Sequence, residues 1–83
     1  MNINELLVYD SYYRCYTANS CRKTGLPMFG GAEFSKAEYY ERYVDIYLSK
    51  TRCKKIKRPV LPNENPVAFF RVQNGYVPLY LRE

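Results

Sequence analysis

The chain has 83 residues, 47% of them hydrophobic, and a formal net charge of +5 from 13 Lys and Arg against 8 Asp and Glu. So short a chain buries only about 60 to 65% of the surface its unfolded form exposes, which argues against a deep catalytic cavity beside a core and so against most self-contained enzymes. It is too apolar to stay disordered and basic enough to seek anions, so one ordered domain over 1–83 with an acidic partner is expected.

The first segment opens Asn2-Ile3-Asn4-Glu5, where Asn2 can cap a helix and Glu5 can return the bond. Leu6, Tyr9, Tyr13 and Tyr16 then fall on one helical face, and a helix over 3–18 is expected. The competing reading is a strand pair turning at Asp10-Ser11, because Val8, Tyr9, Tyr12, Tyr13 and Tyr16 favour β structure. The helical stripe is longer than any alternation and is preferred. Arg22-Lys23-Thr24-Gly25-Leu26-Pro27 has the chemistry of a helix end and exit, and Met28 to Glu33, with Gly30-Gly31, reads as a loop.

Ser35 and Glu38 form a capping box, and Phe34 and Tyr39 occupy the positions of a hydrophobic staple. Tyr40, Tyr43, Val44, Tyr47, Leu48 and Thr51 follow at helical spacing, so a second helix is expected over 36–52. Pro59, Pro62 and Pro66 then impose an extended loop. The chain closes with a hairpin signal: Val67 to Gln73, a turn at Asn74-Gly75, and Tyr76 to Arg82. That turn pairs Val72 with Val77, Phe70 with Leu79 and Ala68 with Leu81, giving one wholly apolar face. Pro78, without an N–H, marks its strand as an edge. The expected architecture is α+β, a small single domain in α-α-β-β order with two helices packed on a C-terminal antiparallel β-hairpin.

Histidine is absent, which removes His-based acid-base catalysis and the commonest metal ligand. Cys15, Cys21 and Cys53 are too few and too scattered for a structural zinc site. If Cys15 and Cys21 shared a helix, their Cα atoms would stand about 9 Å apart, beyond disulfide reach, so free thiols are expected. Glu38, Glu41 and Asp45 line one helical face, which reads as a solvated, dipole-compatible surface in preference to a cation site. Gly30-Gly31 lacks the flanks of a phosphate loop. No catalytic residue, metal or cofactor is therefore assigned.

The sharper feature is basic. Lys50, Arg52, Lys54, Lys55, Lys57 and Arg58 place six positive charges in nine residues with no acid among them. Cations at a helix end explain two or three of these charges, and six match a phosphate-backbone footprint. Lys54-Lys55-Ile56-Lys57-Arg58 also has the composition of a nuclear import signal. On the outer hairpin face, Arg71 and Arg82 alternate with Phe69, Tyr76 and Tyr80, a pattern that can stack bases and hold phosphates. The same face could equally be core, with the two helices sandwiching the ribbon.

A small, basic chain with ten tyrosines is similar in general type to bacteriophage proteins that bind and inhibit a host complex. The leading expectation is a non-enzymatic protein engaging nucleic acid or a nucleoprotein machine, in the manner of a phage-type inhibitor. Its contacts would be Lys50, Arg52, Lys54, Lys55, Lys57, Arg58, Arg71, Tyr76, Tyr80 and Arg82. The alternative is a protein-interaction or assembly subunit, including a homodimer, that buries tyrosines. No apolar stretch approaches a membrane span and Met1 to Leu7 has no basic leader, so a cytoplasmic location and no membrane partner are expected.

Overall fold

In a computed structural model, described here over residues 2–82, strands organise the chain where helices were expected. The elements in order are a 3-10 turn at Ile3–Glu5, β1 (Tyr9–Asp10), β2 (Cys15–Tyr16), α1 (Ala18–Lys23), β3 (Met28–Phe29), α2 (Lys36–Glu38), β4 (Tyr47–Ser49), α3 (Lys50–Lys55), β5 (Ala68–Val72) and β6 (Gly75–Leu81). A π-helical stretch, Tyr39–Tyr43, continues α2. The six strands form one mixed sheet in the order β1-β2-β6-β5-β3, with β4 also paired to β6. Two helices on a lone hairpin is therefore replaced by a six-stranded sheet with three short helices.

The helix expected over 3–18 gives way to the strand pair. Asp10 accepts hydrogen bonds from the N–H groups of Tyr12 and Tyr13, and Arg14 adopts a left-handed φ of 56° that closes the turn. This local capping lets the β-favouring tyrosines pair as Tyr9 with Tyr16 and Asp10 with Cys15. Cys15 and Cys21 accordingly share no helix, and all three cysteines are buried free thiols. Thr17 caps α1, which ends in Arg22 and Lys23 and leaves through Gly25 at φ 76°, as the exit chemistry implied. Part of the expected loop, Met28–Phe29, pairs in parallel with Phe69 and Phe70.

The capping box of Ser35 and Glu38 is present. Phe34 and Tyr39 both pack on Phe29, with ring centroids 5.7 and 5.3 Å from it, so the staple closes through a third ring. The helix nevertheless ends far short of residue 52. Tyr47, Leu48 and Ser49 pair with Leu81, Tyr80 and Leu79, the Ile46 carbonyl accepts from the Arg82 N–H, and the Tyr39 hydroxyl donates to the Tyr47 carbonyl. Pairing with β6 outweighs helical propensity because it satisfies the backbone and buries Leu48 as well.

The C-terminal hairpin forms with its register moved by two residues: Val72 faces Gly75, Phe70 faces Val77 and Ala68 faces Leu79 across a turn at Gln73–Asn74. A shift of two preserves which face each side chain occupies. Gly75 is used for close approach and not for a positive φ: a Cβ there would lie 2.7 Å from the Cys15 sulfur and still nearer the Tyr16 carbonyl oxygen.

Both faces of this ribbon are core. On one, Ala68 and Leu79 pack with Phe29 and Tyr39, covered by α2 and its π-helical continuation. On the other, Phe69 and Tyr76 pack with Cys21 of α1, and Tyr80 packs with Leu48 and Cys53 of α3. Phe29 and Phe69, at 1% and 0% exposure, are among the largest side chains in the interior. Each contributes about 2–3 kcal/mol by burial. Leu81, expected within the covered apolar face, is 44% exposed.

Gly75→Ala should lower stability by about 2 kcal/mol or more, since backbone must move to admit the methyl group. Denaturant unfolding measures this, and a loss below about 0.5 kcal/mol would show that β2 does not press on β6 as described.

Candidate nucleic-acid interface

The basic segment is held by one buried anchor. Ser49 caps α3 by accepting the Arg52 N–H, and Cys53, fully buried, points inward against Leu48 and Tyr80. Lys50, Lys54 and Lys55 are all exposed, with Lys55 lying nearly opposite Cys53 around the helix. The Lys57 N–H donates to the Lys54 carbonyl and the Arg58 N–H to the Cys53 carbonyl, with Lys57 at φ 62°. This is a Schellman termination in which lysine occupies the left-handed position that glycine adopts at lower cost. Lys57 and Arg58 are also exposed.

Arg52 differs from its neighbours, because its guanidinium is half-buried and donates to the Val44 carbonyl at 2.7 Å. It joins α3 to the turn before β4. Among the described residues, the ion pair found joins Arg82 to Glu64, and Lys50, Lys54, Lys55 and Lys57 enter none. The charges of Lys50, Lys54, Lys55 and Lys57 are thus not compensated by an ion pair among the described residues.

Arg82 belongs to the framework of the site. Its Nη1 and Nη2 donate to Glu64 Oε2 and Oε1 at 2.6 and 2.8 Å, Nη1 also donates to the Leu81 carbonyl, Nη2 to the Pro59 carbonyl, and Nε to the Arg58 carbonyl. Those are the five N–H bonds a guanidinium possesses. The clamp ties the end of β6 to the chain leaving α3 and to the proline loop, which fixes where the basic segment lies. Arg82 hydrogen bonds hold the Glu64 carboxyl below the usual glutamate range.

Of the remaining residues assigned to the hairpin face, Tyr76 and Tyr80 are core at 6% and 7% exposure. Burial pushes the Tyr80 phenol up to about 12. Arg71 is exposed, but it sits on β5, across β6 from β4 and α3, and reaches toward the Gly30 carbonyl. Lys50, Lys54, Lys55, Lys57 and Arg58 are therefore all exposed along α3 and its C-terminal exit, and Arg71 lies elsewhere, on β5.

Beside the segment lies a cleft of about 500 Å³ that the sequence did not bring together. Its origin is topological. One side of β6 is shared by β2, which pairs at Tyr76, and β4, which pairs from Leu79 onward, so Val77 and Pro78 have no strand partner there. β6 is central and not an edge strand, yet Pro78 falls where that side is bare and a missing N–H does no harm. The proline was the one visible signal of this gap. Tyr9, Tyr16, Lys50 and Thr51 rise around Val77 and Pro78. Tyr9 is 55% exposed and packs edge-on against Tyr16, with centroids 5.3 Å apart. Burial, then the neighbouring Tyr9 and Cys21, raises the Tyr16 phenol above its ordinary range.

A second hollow of about 330 Å³ adjoins it, sharing Tyr16, Lys50 and Tyr80 and continuing past Asn4 to Leu61 and Asn63 of the proline loop. A further hollow of about 350 Å³ by the end of α1 carries Arg22 and Glu33 together and has no net charge preference. Among the described residues no group of three His, Cys, Asp or Glu could hold a metal ion, and no helix is long and apolar enough to cross a membrane.

Glu64→Ala should lower stability by about 2–3 kcal/mol at neutral pH, because Arg82, with a side-chain exposure of 9%, is left with an unpaired buried charge. The carboxyl is depressed in the fold, so its stabilisation is complete above the ordinary glutamate range and disappears as pH falls through the lowered value. The gap between wild type and Glu64→Ala in denaturant unfolding should accordingly narrow in acid, and an undiminished gap would rule out the ionic account. Compared with protein-family models, curated proteins and solved structures, the chain matches none.

Proposed function

We propose that the protein is a non-enzymatic binding module that engages nucleic acid, or a nucleoprotein complex through its nucleic-acid-facing surface, by way of residues 50–58. The observation that carries this reading is the exposure of Lys50, Lys54 and Lys55 on one short helix and of Lys57 and Arg58 in its C-terminal exit, the four lysines in no ion pair among the described residues. Solubility alone requires no such concentration of one sign. Each Lys or Arg that meets a phosphate releases condensed counterions, so the segment is suited to a polyanion. The left-handed Lys57 supports the same reading, since it keeps a charge where glycine would relieve strain. Inhibition of a nucleic-acid-processing machine by occupying its nucleic-acid interface is the most concrete form of this function.

A second reading, docking on a protein partner, is favoured by the β1–β2 hairpin. Tyr9, Tyr12 and Tyr13 are 55%, 85% and 49% exposed there, and exposed tyrosines suit protein interfaces. Salt separates the two readings, because an apolar, hydrogen-bonded interface weakens little over a range in which multi-phosphate binding falls steeply.

Fluorescence anisotropy with labelled single- and double-stranded DNA and RNA, from about 50 to 200 mM salt, tests the proposal. Combined Lys54→Glu, Lys55→Glu and Lys57→Glu should weaken binding at least about tenfold and flatten the log–log salt slope by about 2. Lys57→Gly should remove one contact while raising stability by about 0.5–1 kcal/mol, so lost affinity in that variant does not arise from unfolding. Unchanged affinity in a folded triple variant would overturn the reading.

A further inference from the structure

We infer that the split in the sheet is a base-binding groove, and that the nucleic acid held is single-stranded, with a base seated against Tyr9 above Val77 and Pro78. This rests on the proposed nucleic-acid function and specifies the form of the ligand.

The cleft volume of about 500 Å³ lies within the range of small-ligand pockets, roughly 300 to 1,000 Å³. Its lining combines an exposed tyrosine, Tyr9, with Lys50 and Thr51 and with Val77 and Pro78 of the unpaired stretch of β6. A flat heteroaromatic base needs such a ring to stack on, and the phosphate joined to it needs a cation close by. Lys50 meets that need and also begins the basic helix, so a strand whose base enters the cleft has its backbone directed along Lys54, Lys55 and Lys57. A paired duplex cannot place a base there without unpairing it.

Two features favour an extended strand over a free nucleotide or an added β-strand. The second hollow shares Tyr16, Lys50 and Tyr80 with the first, so the two make a groove running to Asn63 in place of a closed pocket. Pro78, in the unpaired stretch of β6, offers no N–H to an incoming polypeptide strand. The bare edge can therefore be covered by a ring or an apolar group more readily than by strand addition.

The test compares anisotropy of short labelled pyrimidine oligonucleotides, DNA and RNA, with blunt duplexes of matched length, using wild type, Tyr9→Ala, Tyr9→Phe and Tyr12→Ala. The single strand should bind about tenfold more tightly than the duplex, and Tyr9→Ala should weaken single-strand binding about tenfold without altering the salt slope or duplex binding. Tyr9→Phe keeps the ring and should retain affinity, as should Tyr12→Ala at the tip of the same hairpin. Equal affinity for duplex, a silent Tyr9→Ala, or an equal loss in Tyr12→Ala would overturn the groove. If the lysine reversals still abolish binding in that case, the basic-segment function survives without it. Failure of every nucleic acid to bind at low salt would remove both.

Discussion

The structure turns on a two-residue hairpin whose strands carry large apolar side chains on both faces. Phe69, Tyr76 and Tyr80 point one way and Ala68, Phe70 and Leu79 the other, so neither face can be left in water. A chain of this length cannot place a full helix layer on each side. It uses fragments: α2 and its π-helical continuation on one face, α1 and α3 on the other, each held by one or two buried anchors such as Cys21 and Cys53. Short strands from the same connections then pair with β6 and β5, satisfying backbone groups that single-turn helices cannot.

This economy also places the basic segment. Because β4 is recruited to β6 immediately before α3, the basic helix starts at the sheet itself, and Ser49 serves both as the last residue of the strand and as the cap of the helix. The Arg82 guanidinium fixes the other end, holding the Arg58 and Pro59 carbonyls to the end of β6 while Glu64 neutralises it. The lysines between these two attachments are placed by the backbone of α3 and its termination, and among the described residues they enter no ion pair.

How much of this was legible in the sequence depends on whether a residue acts locally. The Ser35–Glu38 capping box, the exit at Gly25 and the assignment of hairpin side chains to two faces are short-range and came through. The stripe from Tyr39 to Tyr47 did not reveal its break: Tyr43 and Tyr47 still stack, centroids 5.0 Å apart, although the second begins a strand. A four-residue spacing that yields ring contact is compatible with either outcome, and only the demand of β6 for a neighbour decides. Gly75 shows the same ambiguity, since glycine before a strand serves a turn or a close approach and the sequence cannot say which. For the site, exposed lysines were readable from charge alone. Arg82 was not, because its burial depends on Glu64 and two carbonyls brought close by the proline loop.

The gap in the sheet follows from the same long-range demand. β6 is seven residues long, and the pieces available to flank it, β2 and β4, have two and three. They meet β6 at its two ends, and a proline occupies the uncovered middle, where any other residue would present an unpaired N–H. Leaving strand edge bare is ordinarily an invitation to association. Here the bare stretch is short, carries a proline with no N–H to donate, and lies in a cleft lined by Tyr9, Tyr16 and Lys50. A small protein with no room for an internal cavity thus obtains a recess from incomplete strand coverage, with Lys50 among the residues that line it.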